Sequence, residues 1–325
     1  MRLAALFVLA LVGQAMADEP VVPLAALPLS TERAAAPEEI ELGRALFFDP
    51  VLSATKATSC ATCHQPQLGW ADGRETGLGF APLARNTPTI LNTAFNADGV
   101  MFWDNRERTL EAQVLHPIRA RDEMRGDACE EGHVVDLIVQ RMQAIEHYRT
   151  AMGGTVTMPK IARAIAAFER SLVTTDTPFD RFMRGDKSAL TPHQQRGMKV
   201  FEESGCLHCH GGPMLSDYKL HVVAAPGERQ AFRTPSLRNL RHTAPYMHNG
   251  RLRTLDEVLL FYEQLMDEVS ETLEGGDAAA QPPLDPLLKH LSVKPGDFLD
   301  LKAFLESLSA DRYDQRVPEL PASKP

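Results

Sequence analysis

The sequence predicts a mainly α-helical protein built from two similar domains, and three observations support this expectation. Apolar residues recur at helical spacing along much of the chain, whereas alternation of apolar and polar residues never extends beyond a few positions. The pattern Cys-x-x-Cys-His occurs twice, 146 residues apart, beginning at Cys60 and at Cys206. A chain of 325 residues has room for two domains of ordinary size. We therefore expect a duplicated helical module.

Two helices are predicted near the middle of the chain. Residues 160–172 repeat apolar side chains every three or four positions, which indicates a helix with one buried face. The stretch Thr191–Gln194 is a capping box with proline at the first helical position, so a second helix should begin there and run toward Cys206. The buried stripe of the first helix is predicted to contain Ile161, Ile165, Phe168 and Leu172.

Three further elements are predicted toward the C-terminus. The stretch Thr254–Glu257 is another capping box and should begin a helix. Residues 275–295 are rich in glycine, alanine and proline and are expected to form a surface loop, and residues 298–308 a closing amphipathic helix. The inward face of the helix that begins at Thr254 is predicted to contain Val258, Phe261, Tyr262, Leu265 and Met266.

The N-terminus has the features of a secretory signal. A short apolar run follows Arg2, and Ala15-Met16-Ala17 is a small-residue cleavage pattern. We predict that residues 1–17 are a signal peptide, cleaved after Ala17, and that the protein is exported to the periplasm. Residues 18–175 and 176–325 are then predicted to be the N-terminal and C-terminal domains.

Charge and hydropathy exclude two classes of partner. The chain has 34 basic and 43 acidic residues, a net charge of −9, whereas nucleic-acid binding requires a basic face. The apolar run after Arg2 is shorter than the about 20 residues that span a bilayer. No membrane span is therefore expected after signal cleavage.

Four of the five cysteines lie in the two Cys-x-x-Cys-His units. One such unit alone is compatible with a zinc half-site or a redox dithiol, but two of them behind an export signal indicate attachment of c-type haems. We predict two covalently bound haems, with His64 and His210 as the proximal iron ligands. Cys129 has no partner left and is expected to be a buried free thiol. The anchoring cysteines are Cys60 and Cys63 for haem 1, and Cys206 and Cys209 for haem 2.

Trp103 and Glu123 are candidates for chemistry at haem 1. A carboxylate beside an open haem iron can take a proton from one oxygen of bound peroxide and return it to the other. However, Arg121, Asp122 and Arg125 are close to Glu123 in sequence, and this position alone favours a solvated surface acid. A tryptophan is also more often a core residue than a redox residue. From the residues alone, both interpretations of each side chain stay open.

The chain resembles the diheme cytochrome c peroxidase / MauG family over nearly all of its mature length. The resemblance implies two cytochrome c-like domains whose haems face each other across an interface, with Trp103 between them. It implies that Glu123 is the catalytic acid/base and that Gln113 and Pro117 adjoin it in the distal pocket. The motifs that carry the resemblance are the two haem units, "ADGRETGLG", "RNTPTILNTAFN", "FWDNR", "LEAQ…HPI…DEM", "TPSLRNL…TAPYMHNG" and "TLDEV".

The resemblance also implies one calcium ion between the domains. Asn86, Thr243 and Pro245 match the residues around that ion in the family. Asn86 would contribute its side-chain oxygen and Pro245 its carbonyl oxygen, and oxygen ligands suit a hard cation.

The residue at position 80 departs from the peroxidases of the family. In those enzymes a histidine at this position caps haem 1 in the resting oxidised state. Here the position, counted from His64 without a gap, holds Phe80, and the next histidine is His116. Phenylalanine cannot bind iron. We therefore expect haem 1 to have no protein ligand on its distal face.

A second departure concerns haem 2. The peroxidases have a methionine fourteen residues after the histidine that matches His248, and this chain has Tyr262, as MauG-type members do. A phenolate is harder than a thioether and favours the oxidised iron. Met266 lies one helical turn further on the same face, and Met214 and Met247 are also near in sequence. Tyr262 is the favoured ligand, with these methionines as alternatives.

The substrate stays open between three functions. A MauG-like enzyme would oxidise a residue of a partner protein, whereas a detoxifying peroxidase would reduce hydrogen peroxide with electrons from a small cytochrome or copper protein. A diheme electron carrier without catalysis is the third. MauG-type enzymes use a tryptophan just before the second haem unit as an exit route, and Ser204 stands there, so Tyr218 or Tyr246 would have to replace it.

Five further histidines are expected to have supporting or surface roles. His248 is expected to support the fold or a haem propionate. His193, His221, His242 and His290 have no motif role and are expected to be surface or supporting residues.

Overall fold

Helices dominate the described part of the chain, where the one pair of strands is short, so the prediction of a mainly α fold is confirmed. The predicted signal peptide, residues 1–17, lies outside the described residues. No helix within the described ranges is long and apolar enough to cross a membrane. The computed structural model describes residues 20–29, 35–96, 100–225, 228–273 and 282–321.

The helices differ in length, and the longest described helix lies near the C-terminus. Helices of the first half are α1 (Pro37–Phe48), α2 (Cys60–Cys63), α3 (Leu110–Gln113), α4 (Leu115–Arg119), α5 (Glu131–Ala144), α6 (Glu146–Ala151) and α7 (Met158–Ser171). Those of the second half are α8 (Pro178–Met183), α9 (Pro192–Glu203), α10 (Leu255–Leu273) and α11 (Phe298–Ser307). A π-helix covers Arg121–Arg125, and 3₁₀ turns include Thr93–Phe95, Cys206–His208 and Pro286–His290. Strands β1 (Leu220–Val222) and β2 (Ala231–Arg233) pair in antiparallel orientation.

All four helices predicted from the sequence are present, as α7, α9, α10 and α11. The capping box of α9 forms as expected, because the hydroxyl of Thr191 accepts a hydrogen bond from the Gln194 amide while the Gln194 side chain accepts one from the Thr191 amide. The hydroxyl of Thr254 likewise accepts a hydrogen bond from the Glu257 amide. Local sequence therefore determines where these helices begin.

Two helix pairs cross at a glycine in the same way. A Cβ atom on Gly43 of α1 would lie 1.8 Å from the carbonyl oxygen of Ala164 in α7. A Cβ atom on Gly197 of α9 would lie 1.8 Å from the carbonyl oxygen of Asp300 in α11. Only glycine permits such close backbone contact. The repeated crossing supports the expected duplication of one helical module.

Each helix pair lies in its own hydrophobic core. The first core surrounds α1, α5 and α7, and the second surrounds α9 and α11. The fully buried members of the first core include Leu46, Leu52, Trp70, Val134, Ile138, Tyr148, Ile161, Ile165 and Phe168. The second core includes Phe179, Leu215, Leu301, Phe304 and Leu308.

The two ends of the described chain each pack on the opposite half. Leu24 pairs with Gly212 in an isolated bridge and is buried in the second core. Tyr313 packs on the first core, and the Trp70 indole Nε1 donates a hydrogen bond of 2.9 Å to the Asp314 carbonyl oxygen. The domain boundary near residue 175 stays a prediction, and these end segments connect the two halves.

The segment expected to be a surface loop differs in its second part. Pro286–His290 is a 3₁₀ turn, and Leu288 and Val293 are buried against neighbouring helices. Glycine and proline indicated a loop, but the leucines between them pack against α10. Residues 274–281 of the expected loop lie outside the described residues.

Candidate active site

A cavity of about 720 Å³ is lined by residues from both halves of the protein. Both Cys-x-x-Cys-His units face it, and so does Trp103. The structure therefore brings together the site residues predicted from the sequence. Those that line the cavity are Cys60, Cys63, His64, Asn86, Trp103, Gln113, Pro117, Glu123, Cys206, Cys209, His210, Thr243, Pro245 and Tyr262.

Helix α2 positions the first unit. A capping box at Ser59 begins the helix, and the spacing of three places Cys60 and Cys63 on one face. The His64 Nδ1 donates a hydrogen bond of 3.0 Å to the Trp70 carbonyl oxygen, which leaves Nε2 available for a metal. Burial lowers the pKa of His64 and so favours the neutral, metal-binding form.

The second unit has the same hydrogen-bond arrangement. The His210 Nδ1 donates a hydrogen bond of 2.9 Å to the Leu215 carbonyl oxygen, and burial again lowers the histidine pKa. The 3₁₀ turn Cys206–His208 and the following residues hold both cysteines at the cavity wall. His210 is therefore also presented with Nε2 available.

The thiol pKa values distinguish haem attachment from zinc binding and disulfide exchange at these units. Burial raises the pKa of Cys63 to about 11 and that of Cys206 to about 12, and it raises the Cys60 pKa further. Zinc binding and disulfide exchange both require thiolates, which these environments disfavour at neutral pH. Thioether attachment leaves no charge on sulfur. Both units, each with an available Nε2 beside a large cavity, therefore fit a c-type haem.

Glu123 lines the same cavity as the first Cys-x-x-Cys-His unit. It belongs to the π-helix, is half-buried and lines the cavity. Burial raises its pKa, opposed by the positive charges of Arg106 and His116. Gln113, at the end of α3, and Pro117, in α4, line the same cavity. The surface-acid interpretation of Glu123 is therefore not what the structure shows.

Phe80 is next to Glu123 but not in the cavity. Its neighbour Gly79 lines the cavity, whereas the Phe80 side chain is 40% exposed. The Arg121 guanidinium lies 5.7 Å from the centre of the Phe80 ring on the outer surface. His116, the next histidine in the chain, is paired with Glu107 at 2.6 Å. Neither the Phe80 side chain nor the His116 side chain therefore lines the cavity beside Glu123.

Trp103 lines the cavity that the two units share, and it is held at both ends of the residue. Its indole Nε1 donates a hydrogen bond of 3.0 Å to the Asn86 carbonyl oxygen, and its own carbonyl oxygen accepts one of 2.7 Å from the Arg233 amide. Its ring contacts the buried His248 edge-on, with 6.3 Å between ring centres. Trp103 is thus fixed in the cavity wall, whereas Trp70 is a core residue of the first half.

The three residues expected around calcium are near Trp103. The Asn86 Nδ2 donates to the Arg74 carbonyl oxygen at 2.9 Å, and its Oδ1 accepts no hydrogen bond from a described residue. Thr243 and Pro245 border the same cavity, and the Asn86 amide donates to the His248 carbonyl oxygen. The available oxygen of Asn86 fits a hard cation such as calcium.

Tyr262 and Met266 have different environments on α10. Tyr262 lines the cavity, and burial raises its pKa. Met266 does not line it, and the Met266 sulfur accepts a hydrogen bond of 3.3 Å from the Val293 amide. Met214 and Met247 do line the cavity, and Met214 belongs to the loop between His210 and the carbonyl that His210 bonds.

Four further histidines without a motif role are engaged by other residues, and one of them, His221, also lines the cavity. His221 is 7% exposed and lies between two carboxylates, at 2.8 Å from Asp217 and 2.6 Å from Asp285. The Cys209 sulfur is close to His221 and Asp217, and thioether attachment would leave it no role in binding a metal ion there. The others are His193, exposed and paired with Asp300, His242, bonded to the Ala310 carbonyl oxygen, and His290, stacked on His208 at 4.1 Å.

Sequence reasoning missed two parts of the site. Arg85 pairs with Glu228 at 2.9 Å and lies over Phe232, which stacks on His248 at 3.6 Å. These residues are far apart in sequence, and no spacing pattern connects them. Glu169, a buried acid on the cavity wall, was also missed, although it directly follows Phe168 of the predicted buried stripe.

These features define the class of protein: a c-type cytochrome with two haem-attachment units and a half-buried acid on one cavity. A family model described as di-haem cytochrome c peroxidase matches residues 37–188. The chain is 39% identical over 311 residues to methylamine utilization protein MauG of Methylorubrum extorquens, covering 88% of this chain and 82% of that protein. It is 32% identical over 329 residues to cytochrome c551 peroxidase of Pseudomonas aeruginosa, covering 94% and 86%.

A solved structure is also similar over most of its length. It is the crystal structure of a MauG-like protein associated with microbial copper homeostasis, with a TM-score of 0.71 and 28% identity, covering 90% of this chain and 95% of that one. The chain belongs to the di-haem cytochrome c peroxidase family. It is an oxidoreductase that acts on peroxide, and its family carries two c-type haems.

Proposed function

We propose that this chain is a periplasmic MauG-type peroxidase whose two haems are held by the two Cys-x-x-Cys-His units. Hydrogen peroxide is reduced in the distal pocket beside haem 1, which Cys60, Cys63 and His64 hold. Trp103 connects this pocket to haem 2, which Cys206, Cys209 and His210 hold. Residues 18–175 and 176–325 form the two haem domains, and residues 1–17 direct export.

This proposal rests on the positions of Glu123 and Phe80 relative to the cavity. Glu123 projects a half-buried carboxyl group into the cavity, whereas Phe80 stays outside it. A distal pocket with an acid and no protein ligand suits peroxide binding from the oxidised state. Such a pocket has no use in a protein that only carries electrons.

Glu123 moves the proton in the proposed reaction. The haem supplies an iron that binds peroxide and accepts its oxidising equivalents. The carboxylate of Glu123 takes the proton from the inner peroxide oxygen and returns it to the outer oxygen, which leaves as water. Burial raises the Glu123 pKa, which makes this carboxylate a better base than a solvated one. Gln113 and Pro117 restrict the room beside it.

Tyr262 is the proposed distal ligand of haem 2. It lines the cavity from α10, whereas the Met266 sulfur is engaged by the Val293 amide. An anionic phenolate favours the oxidised iron more than a thioether does. Haem 2 with this ligand set holds an oxidising equivalent more readily than a histidine–methionine haem.

A calcium ion is proposed to bind in the cavity wall beside Trp103. Its ligands are the Asn86 side-chain oxygen, the Pro245 carbonyl oxygen and Thr243. Because the Asn86 carbonyl accepts the Trp103 indole hydrogen bond, the ion would fix the tryptophan indirectly. Oxygen ligands of this kind suit calcium.

The source of electrons is proposed to be a partner protein, and one observation bears on which kind. MauG-type oxidation of a partner would need an exit residue at position 204. Ser204 is 4% exposed, and its carbonyl oxygen accepts a hydrogen bond of 3.2 Å from the Ser292 amide. This covered serine favours the second candidate, a peroxidase that draws electrons from a small cytochrome or copper protein. The Tyr218 hydroxyl donates a hydrogen bond to the side-chain amide oxygen of Asn96, and the Tyr246 hydroxyl donates one to the Leu240 carbonyl oxygen. Neither acceptor is a base.

Glu123→Gln tests the proposed peroxide site. The substitution removes the proton carrier while keeping size and polarity, so peroxide turnover should fall about 10²- to 10⁴-fold, the usual contribution of general acid–base catalysis. Both haem spectra should be retained. The matched control is Asp122→Asn at the exposed neighbouring position, which should leave turnover within about twofold. Equal rates in the Glu123→Gln variant and the wild type would remove Glu123 from the mechanism.

A further inference from the structure

Glu169 is a buried acid that the proposed reaction does not use. It lies on α7, is 4% exposed, and lines the cavity together with Cys60 of the first unit. Its carboxyl group has no hydrogen bond to a described residue. A buried acid without a hydrogen bond is costly, so its retention at this wall calls for a reason.

The charged side chains near Glu169 form ion pairs with other residues. Its neighbour Arg170 forms two hydrogen bonds to Glu111 of α3, at 2.7 and 2.9 Å. Arg44 of α1 lies 4.6 Å from the centre of the Phe168 ring and pairs with Asp314. The 3₁₀ turn Thr93–Phe95, which also packs on α7, carries no charge. No described cation therefore forms an ion pair with the Glu169 carboxylate.

This environment favours the neutral form of Glu169 where no positive charge is close to its carboxyl group. Burial raises its pKa to about 8, with Arg170 lowering it and Glu111 raising it again. The carboxyl group therefore titrates close to neutral pH. A small change in nearby charge can shift that balance.

We propose that Glu169 is a positioning residue of haem 1 that couples the electron entering this haem to a proton from solvent. One electron from the proposed donor protein, a small cytochrome or copper protein, reduces the iron from the ferric to the ferrous state, and one proton from solvent bonds to a carboxylate oxygen of Glu169. The ferric iron has one more positive charge and stabilises the carboxylate, whereas the ferrous iron does not. The charge of the compartment is then the same before and after reduction. This inference rests on the proposed place of haem 1, and not on the fate of peroxide.

The reduction potential of haem 1 against pH is the test, in the complete protein without peroxide. Where reduction takes up one proton, the wild-type potential should fall by about 59 mV for each tenfold drop in proton concentration, over a window near pH 8. In Glu169→Gln the potential of haem 1 should not change with pH over this window. Glu111→Gln should keep the slope but move its window to lower pH, because Glu111 raises the Glu169 pKa.

The competing explanation is Glu123, whose pKa burial also raises. A slope that persists in Glu169→Gln, or that disappears in Glu123→Gln, would overturn the proposal, and so would a wild-type potential that does not vary with pH. If Glu169→Gln does not fold, Glu169→Asp replaces it. A shorter acid of lower ordinary pKa should move the window to lower pH, and an unmoved window would contradict the proposal. Absence of one haem from the absorption spectrum would instead count against the proposed function.

Discussion

The backbone amide of Phe80 donates a hydrogen bond of 2.9 Å to the carbonyl oxygen of Glu123. The next amide, of Ala81, bonds the Asp122 carbonyl oxygen at 2.9 Å. A Cβ atom on Gly79 would lie 2.7 Å from the Glu123 Cα, so the two segments are in close backbone contact. Residue 80 and the acid at position 123 are therefore held together, with the acid toward the cavity and the phenylalanine toward solvent.

This contact leads to a prediction for Phe80→His. Because two backbone hydrogen bonds hold residue 80 at the outer surface, histidine there should remain outside the cavity. The reaction of the oxidised protein with peroxide should stay within about threefold of the wild type, as for an exposed substitution. Stopped-flow absorption would measure it, with Phe80→Leu as the control. A low-spin, six-coordinate haem 1 in the histidine variant would show that residue 80 reaches the iron.

The ligand of haem 2 is tested by Tyr262→Phe. Removing the hydroxyl should change the absorption and EPR spectra of haem 2 and leave those of haem 1 intact, because Tyr262 lines the cavity on the side of the second unit. Met266→Leu is the control, and it should leave both spectra unchanged because the Met266 sulfur bonds the Val293 amide. Unaltered haem 2 spectra in the Tyr262 variant would assign the ligand to another residue.

A buried ion pair should dominate the stability of the second half. The Arg238 guanidinium lies 2.7 Å from the Asp180 carboxylate, with side chains 1% and 0% exposed. Asp180→Asn leaves the cation without its counter-charge and should lower the free energy of unfolding by about 3–5 kcal/mol. The exposed pair Arg181–Asp176 provides the control, and Asp176→Asn should cost less than about 1 kcal/mol. Denaturant unfolding measures the free energy of unfolding of both variants. Similar losses in the two variants would show that burial does not determine the contribution of the ion pair.

Stability should depend on pH through His221. Burial opposes the charged form of His221, but the ion pairs with Asp217 and Asp285 override it and raise the His221 pKa. The stabilisation is complete below the ordinary histidine pKa of 6.5 and is lost as the pH rises above it. The advantage of the wild type over His221→Gln in free energy of unfolding should shrink above pH 6.5, by at most about 1.4 kcal/mol per pH unit.

The control for this pH dependence is His193→Gln. His193 also pairs with a carboxylate, Asp300, but its side chain is 57% exposed. Because this pair is exposed to solvent, His193→Gln should change the free energy of unfolding much less than His221→Gln does. A constant difference for His221→Gln, or a growing one, would show that His221 is not charged in the folded protein.

Local patterns predicted much of this structure. The capping boxes at Thr191 and Thr254 and the apolar stripe of α7 determine helices through residues three or four positions apart. The two haem units were recognisable because their chemistry requires a fixed short spacing. Such features depend on neighbours in sequence, and a sequence displays them directly.

Contacts between distant segments were not predictable in the same way. The Arg238–Asp180 pair and the covering of Ser204 by the segment around Ser292 join residues whose separation has no pattern. Glu169 lies beside an apolar stripe, and only the position of the cavity shows that it is buried. The sequence likewise does not show that the Val293 amide engages the Met266 sulfur, whereas Tyr262 lines the cavity.

The central claim is that haem 1 has an open distal face and that the two haems act together. The most direct test adds one equivalent of hydrogen peroxide to the fully oxidised protein, without an electron donor, and follows absorption and EPR spectra. The arrangement of Phe80, Glu123 and Tyr262 predicts rapid loss of the ferric signals of both haems and their slow return. No reaction until one haem has been reduced would contradict it, because that result requires a protein ligand on haem 1.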